Sequence, residues 1–444
     1  MTINWQVRWG EASVPPSAAP SVLDSQSEFT AVAALARQNS RDLKRNQMET
    51  SFLHVPDIET LRAFLSRADR DACRARQSSF VHLKNRSRIW QGVHDRGEAY
   101  IFAQVPLSDE DRQLMQPHFP ACLKVVSIKN VDLAADEILD ISAHPDDWNV
   151  GHREELYTLL NIESCRIAEG AKIQIQGNVF SLLIQRLSIS GSSSTSVPSA
   201  ENCHISIMPT PYPVDSKING PLDAPETLSG LPGRSGGNGM SRPTHATVFG
   251  RIPGQNIAAE NTYGSDGEAG ENGENGRRGR AGGMCKTAEI TIHNFEPESG
   301  PLKLFSQAGQ GGIGGNGGDG GNGGDGGDAG WLYDNLAEGS DRAGNGGDGG
   351  HGGHAGSGGN GGISSNIFLS CPPEKKHLVQ VKSKASQGGT AGRPGKAGEG
   401  GASGLDREYR RQAQAGYPGR EGNTARDGRS RSGAHIYVNE VLQN

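Results

Sequence analysis

Apolar residues along this chain keep three different periods, one after another. Near the N-terminus the spacing is helical. Phe29, Val32, Leu35 and Ala36 share one face, as do Ile58, Leu61, Leu65, Ala68 and Ala72, which predicts amphipathic helices over 27–48 and 57–77. Phe80-Val81-His82-Leu83 and Tyr100-Ile101-Phe102-Ala103 read as short strands. Residues 1–120 are therefore expected to form a small α+β domain, available for docking to an assembly partner.

From about 121 the pattern becomes that of repeated strand pairs. Ile128 to Ala134 aligns with Ile162 to Ala168, and the same offset places Leu139-Asp140-Ile141 over Ile173-Gln174-Ile175. A looser copy runs from Phe180 to Ile189, before a Ser-rich linker at 190–200. Further pairs are Ile290-Thr291-Ile292 with Leu302 to Phe305, and Ile367-Phe368-Leu369 with Leu378 to Val381; His435 to Val438 closes the series. A strand pair repeated with one face apolar predicts stacked rungs, so 121–229 is read as β-solenoid-like.

The third period is three, and glycine keeps it. Gly309 to Gly330 and Gly344 to Gly362 hold strict register, and four shorter runs occupy 230–239, 264–282, 389–404 and 416–428. Three residues per turn is the period of the polyproline II conformation, and glycine permits backbones to approach without a Cβ between them. The runs come in twos, separated by loops 240–263, 331–343 and 405–415, so each pair reads as a hairpin rooted in the strand stack. Runs 309–330 and 344–362 carry one side chain per turn and are expected in the middle of the bundle. Run 264–282, with two side chains per turn, is expected at the periphery. The rows Asn316, Asp319, Asn322 and Asn345, Asp348 are expected to form a solvated outer face. The predicted fold is thus mainly β. A small α+β domain precedes β-solenoid-like stacked strand pairs, and an inserted bundle of six polyglycine II helices, interleaved with rungs, fills 230–444.

Composition agrees with a chain that relies little on an apolar core. Glycine numbers 64 of 444 residues, and hydrophobic residues make up only 34%. A net charge of -6 gives no general attraction to nucleic acid. The N-terminus shows no basic-then-apolar signal and no stretch is long enough to span a membrane, so the expectation is a chain that is cytoplasmic at synthesis, with no membrane insertion. Export without a cleaved signal and a place in a virion both remain open. The six cysteines form no CxxC pair, which argues against structural zinc and a disulfide framework.

Candidate chemistry is sparse. Calcium-binding nonapeptide repeats need a large apolar residue two places after the Asp, whereas Gly321 and Gly327 stand there. Chelation between runs, for example by Asp319 with His354, is the residual metal reading; no metal and no cofactor is expected. No phosphate loop exists, since Gly395-Lys396 is followed by Ala397. His144-Pro145-Asp146-Asp147 and Glu154-Glu155 could supply carboxylates on a solenoid face, as in sugar-cleaving solenoids, but Pro-Asp-Asp is more often a turn. Arg407, Tyr409, Arg410 and Arg411 suit an anionic partner or a solvated loop.

Paired glycine runs returning to a β base, with aromatic-bearing loops at the far end, resemble the receptor-binding tip adhesins of T-even-type phage tail fibres over residues 230–433. The six-run count on a strand base is also similar to the glycine-rich N-terminal domain of Obg GTPases, although the GTPase half has no counterpart here. The first resemblance implies a non-enzymatic recognition or adhesion protein that binds a protein or glycan surface receptor through its loop tips. Its expected binding residues are Phe249, Tyr263, Trp331, Tyr333, Tyr409 and Arg410, because aromatics and Arg are the usual interface anchors. A polysaccharide-acting enzyme and a structural component of a larger extracellular or virion assembly are the alternatives.

Overall fold

The computed structural model describes residues 9–10, 25–80, 98–142, 157–190, 197–209, 223–297, 300–330, 342–406 and 413–443. The strands before the first glycine run are β1 (Trp9–Gly10), β2 (Glu49–Val55), β3 (Ala121–Leu133), β4 (Ile138–Asp140), β5 (Tyr157–Ile167), β6 (Lys172–Gln176), β7 (Val179–Ile189) and β8 (Ile205–Met208). The later ones are β9 (Thr244–Thr247), β10 (Gly250–Pro253), β11 (Ala288–Pro297), β12 (Leu302–Gln307), β13 (Ile367–Ser370), β14 (Val379–Lys384), β15 (Ile436–Val438) and β16 (Val441–Leu442). Strand exceeds helix, as expected. A nine-stranded mixed sheet runs β1-β2-β3-β5-β7-β11-β13-β15-β16, and a five-stranded parallel sheet runs β14-β12-β8-β6-β4.

From β3 to β8 successive strands alternate between the two sheets, and β11 to β15 continue the alternation. The members of each predicted pair therefore lie in different sheets rather than in one hairpin. The repeat sets the register: Ile128 faces Ile162, Asp132 faces Arg166, and Leu139 faces Ile173. Ile162, Ile184 and Ile290 from one sheet share a buried core with Ile173, Ile205 and Leu304 from the other. The opposite face of the nine-stranded sheet is covered as well, since Leu123, Leu159 and Leu183 pack with Leu61, Leu65, Ile101 and Phe102. Burial on both faces explains why β5 and β7 read as near-continuous apolar runs.

The N-terminal elements are shorter than the periodicity predicts. The first helical stretch splits into α1 (Ser25–Leu35) and α2 (Ser40–Lys44), because Asn39 starts a new helix through a capping box with Asp42. The second splits into α3 (Ile58–Leu65) and α4 (Arg70–Phe80). Between them the Ser66 hydroxyl and the Arg67 backbone N–H both donate to the buried Glu289 carboxylate on β11, which holds the chain out of helix. β2 occupies the stretch between α2 and α3 and joins the large sheet antiparallel to β3, so that sheet crosses residue 120 without interruption. Tyr100–Ala103 is not a strand: Glu98–Phe102 form one π-helical turn. All four residues are buried, and a short apolar run without alternation gives no period to separate the two structures. Of Phe80–Leu83, Phe80 ends α4 and the rest lie outside the described residues.

Arg76 ties this N-terminal part to the sheet. Its guanidinium donates to Glu289 at 3.0 Å, to Glu440 at 2.6 Å and to the Phe102 carbonyl at 3.0 Å, and it lies 4.2 Å from the Phe368 ring centroid. Four distant segments of chain meet at that one side chain.

The glycine runs leave the sheets at one end. Each pair is inserted between a strand of the five-stranded sheet and the next strand of the nine-stranded sheet: β8 to β11, β12 to β13, and β14 to β15. Number them run 1 (230–239), run 2 (264–282), run 3 (309–330), run 4 (344–362), run 5 (389–404) and run 6 (416–428). None contains regular helix or strand, and all are joined by backbone hydrogen bonds. Every third residue of run 3 donates to run 2, as Gly318 N–H does to Glu274 O at 2.8 Å, and the alternate glycine donates to run 5, as Gly320 N–H does to Lys396 O at 2.9 Å. Runs 3 and 4 bond to four neighbours each, runs 2 and 5 to three, and runs 1 and 6 to two. Runs 3 and 4 thus hold the middle. Run 2, bonded to three neighbours and with its side chains exposed from Ser265 to Arg278, lies outside them, as two side chains per turn predict. Close approach needs a bare face only on the partner: Glu271 O of run 2 accepts from Gly321, and it lies only 1.9 Å from where a Cβ on Gly350 would stand.

The polar rows are largely exposed, as expected, and they also carry hydrogen bonds between the runs. In each parallel pair of runs the side chain just before a glycine accepts the neighbouring backbone N–H. Lys396 N–H donates to Asp319 Oδ1 at 2.7 Å while Gly320 donates back to Lys396 O, closing a two-bond ring. Asn316, Asn322, Asp325 and Asp328 repeat the ring toward run 5. The row from Asn345 to Asn360 does the same toward run 6, and Asp266, Asn272 and Asn275 do so from run 2 to run 4. The side-chain oxygen stands where a further backbone carbonyl would be needed, which satisfies donors that the glycine ladder leaves over.

Candidate functional site

The three inter-run loops begin and end together. Gly330 N–H donates to Thr262 O, Ala329 N–H to Leu405 O, Gly264 N–H to Arg342 O, and Met240 N–H to Asn261 O. These bonds join the ends of the first, second and third loops at the face of the bundle away from the sheets. Thr262 is fully buried there, and a 3-10 turn over Ala259–Thr262 leads back into run 2.

Within the first loop, β9 and β10 form a hairpin that pairs with no other strand among the described residues. Its base is closed by Gly254 N–H to Pro243 O and by Arg242 Nε to Gly254 O. At its turn the Thr247 hydroxyl donates to Gly250 O and accepts from Phe249 N–H, and Gly250 takes a φ of 116° that a side chain would resist. The two turn residues are Val248 and Phe249, 95% and 96% exposed. Turn positions ordinarily favour Gly, Asn or Asp. Two large apolar side chains at the end of a braced hairpin are therefore unsupported by folding alone.

Of the six residues expected to bind, Phe249 is at this tip and Tyr263 is 41% exposed at the start of run 2. Trp331, Tyr333, Tyr409 and Arg410 lie outside the described residues, although the ends of their loops converge with the first. Val248 is neither aromatic nor charged, so residue type alone does not mark it as an anchor. Alternating Thr-His-Ala-Thr and Gly-Arg-Ile-Pro on either side of Val-Phe is the signal that marks it as a hairpin turn. Exposed Met240 and Leu405 flank the loop bases.

Other chemistry finds little support. Asp146, Asp147, Glu154 and Glu155 lie outside the described residues. Among the described residues no three metal-ligating side chains gather. Asp319 and His354 serve different seams of the bundle, one accepting from Lys396 of run 5 and the other from Asn423 of run 6. A cavity of about 450 Å³ beside α4 is lined by Asp69, Arg70, Cys73, Arg74 and Gln104. Burial pushes the Cys73 thiol up, so no thiolate nucleophile is prepared there. Cys165 is pushed up by burial to about 12. No protein family, curated protein or solved structure matches this chain.

Proposed function

We propose that this is a non-enzymatic recognition protein whose distal loops contact a surface receptor. In this reading the alternating sheets are a β-solenoid-like base and the six runs are polyglycine II helices, which together make a stiff support. Loops on rigid scaffolds are where binding residues concentrate. The observation that carries the proposal is the Val248–Phe249 tip, nearly fully exposed on a hairpin whose fold does not need it. The hydrogen-bonded convergence of three loops at the same end supports a composite surface that includes Trp331, Tyr333, Tyr409 and Arg410.

The test compares the whole protein with a Val248→Ser/Phe249→Ser double variant on a panel of intact cells and a glycan array. Loss of a binding signal in the variant, with an unchanged melting temperature, is the expected result. If the wild type binds and the variant binds equally well, the hairpin is not the contact. Equal loss of binding and of stability would make the tip a folding element.

A further inference from the structure

The seam between runs 4 and 6 contains two acceptors of a different kind from the rest. Gln414, Tyr417 and Arg429 N–H groups donate to the oxygens of Asn345, Asp348 and Asn360. Between them, Arg420 N–H donates to His351 Nδ1 and Asn423 N–H to His354 Nδ1, both at 2.9 Å. An amide oxygen keeps its lone pairs at any pH, whereas an imidazole nitrogen accepts only while unprotonated. These two bonds thus require both rings to be neutral with the proton on Nε2. Each histidine is held in place by its own backbone N–H, which donates to Asn272 or Asn275 of run 2.

We propose that His351 and His354 form an acid-labile clasp that holds the outermost run 6 against the bundle and loosens it when they are protonated. On protonation each Nδ1 becomes a donor facing a backbone donor, so two consecutive bonds of the seam are lost together. Histidine is the side-chain type that changes charge in the physiological range, and no other acceptor in this seam is an imidazole. Run 6 is suited to respond, because it bonds to only two neighbours and holds Ala425 where a glycine is due.

The charged groups around the clasp come from every adjoining run. Run 2 passes at this height with Glu271, Glu274 and Arg277, but the two carboxylates accept from Leu231 and Leu228 N–H of run 1; run 6 carries Arg420 and Glu421 here. Asp348 precedes the pair on run 4 itself, while Asp319 of run 3 and Lys396 with Glu399 of run 5 lie behind it.

Amide hydrogen exchange on the full chain tests this, with rates corrected for intrinsic exchange at each pH. Between about pH 8 and pH 5, protection at Arg420 and Asn423 is expected to fall about five-fold or more, the loss due to one backbone hydrogen bond. Gln414 and Arg429, whose acceptors are amides, should hold. In a His351→Asn/His354→Asn variant the oxygen acceptors are restored, and Arg420 and Asn423 should stay protected throughout. PH-independent protection at Arg420 and Asn423 in the wild type would overturn the clasp. So would an equal fall in the double variant, or a fall at Gln414 and Arg429 of the same size.

Discussion

A single glycine in this bundle has less freedom to change than a core leucine has. A Cβ on Gly318 would stand 1.9 Å from Leu228 O, and the carbonyl belongs to a backbone held on both sides. Gly318→Ala should therefore lower stability by about 1–3 kcal/mol, the usual cost of overpacking, in denaturant titrations. Its neighbour Asp319 follows a different rule. Asp319→Asn keeps the oxygen that Lys396 N–H needs and should be nearly neutral, whereas Asp319→Ala should cost about 1 kcal/mol for the bond lost. His204 sets a residue-scale pH dependence. Burial, aided by the Lys303 charge, lowers its imidazole from 6.5 to about 4. In that window the unfolded chain takes up a proton that the folded one refuses, so stability rises with pH. Unfolding free energy should fall as the pH drops from neutrality through this window. The fall should be shallower in His204→Gln, which keeps an acceptor for Lys303 N–H.

At the scale of elements, the Arg76 junction decides whether the N-terminal helices stay on the sheet. Arg76 and Glu289 side chains are each 1% exposed, so removing the arginine leaves a buried carboxylate with only the neutral donors of Ser66 and Arg67 against it. Arg76→Met should cost about 3–5 kcal/mol, read in denaturant titrations. None of this junction is legible in the sequence, since residues 76, 289 and 440 share no motif. The strand register, by contrast, is plain from the aligned Ile128 and Ile162 stretches. What defeats the reading at Tyr100–Ala103 is burial on every side, which erases periodicity. The acceptor role of Asp319 and Asn345 was missed for another reason. Composition marks the row as solvated, which it is, but only the parallel neighbour reveals the backbone donor that each side chain meets. At the candidate site the aromatics Phe249 and Tyr263 stood out by type, while Val248 needed the hairpin itself to show its exposure.

For the whole molecule, sheets, bundle and distal loops follow one another, and the proposed recognition role falls to the loops. Trp331→Ala and Tyr409→Ala, beyond the bonded runs, should each weaken receptor binding by more than about 1 kcal/mol while the melting temperature holds. Arg410→Ala should weaken it in a way that fades with added salt, as exposed charges are screened over about 8 Å at physiological ionic strength. A lowered melting temperature for Trp331→Ala, with binding intact, would make that residue a cap on the bundle.

The rings between parallel runs keep fixed sequence separations: 77 residues from run 3 to run 5, 79 from run 2 to run 4, and 69 from run 4 to run 6. The bundle consequently has something like a reading frame. Removing one residue from the middle of run 3 moves every later glycine off its mark against four neighbours at once, as a frameshift does to every later codon. Removing a whole triplet shortens the run by one step and leaves the rest in phase. Lengths of such runs should therefore drift in threes among related chains, while the loops between them are free to change by any number.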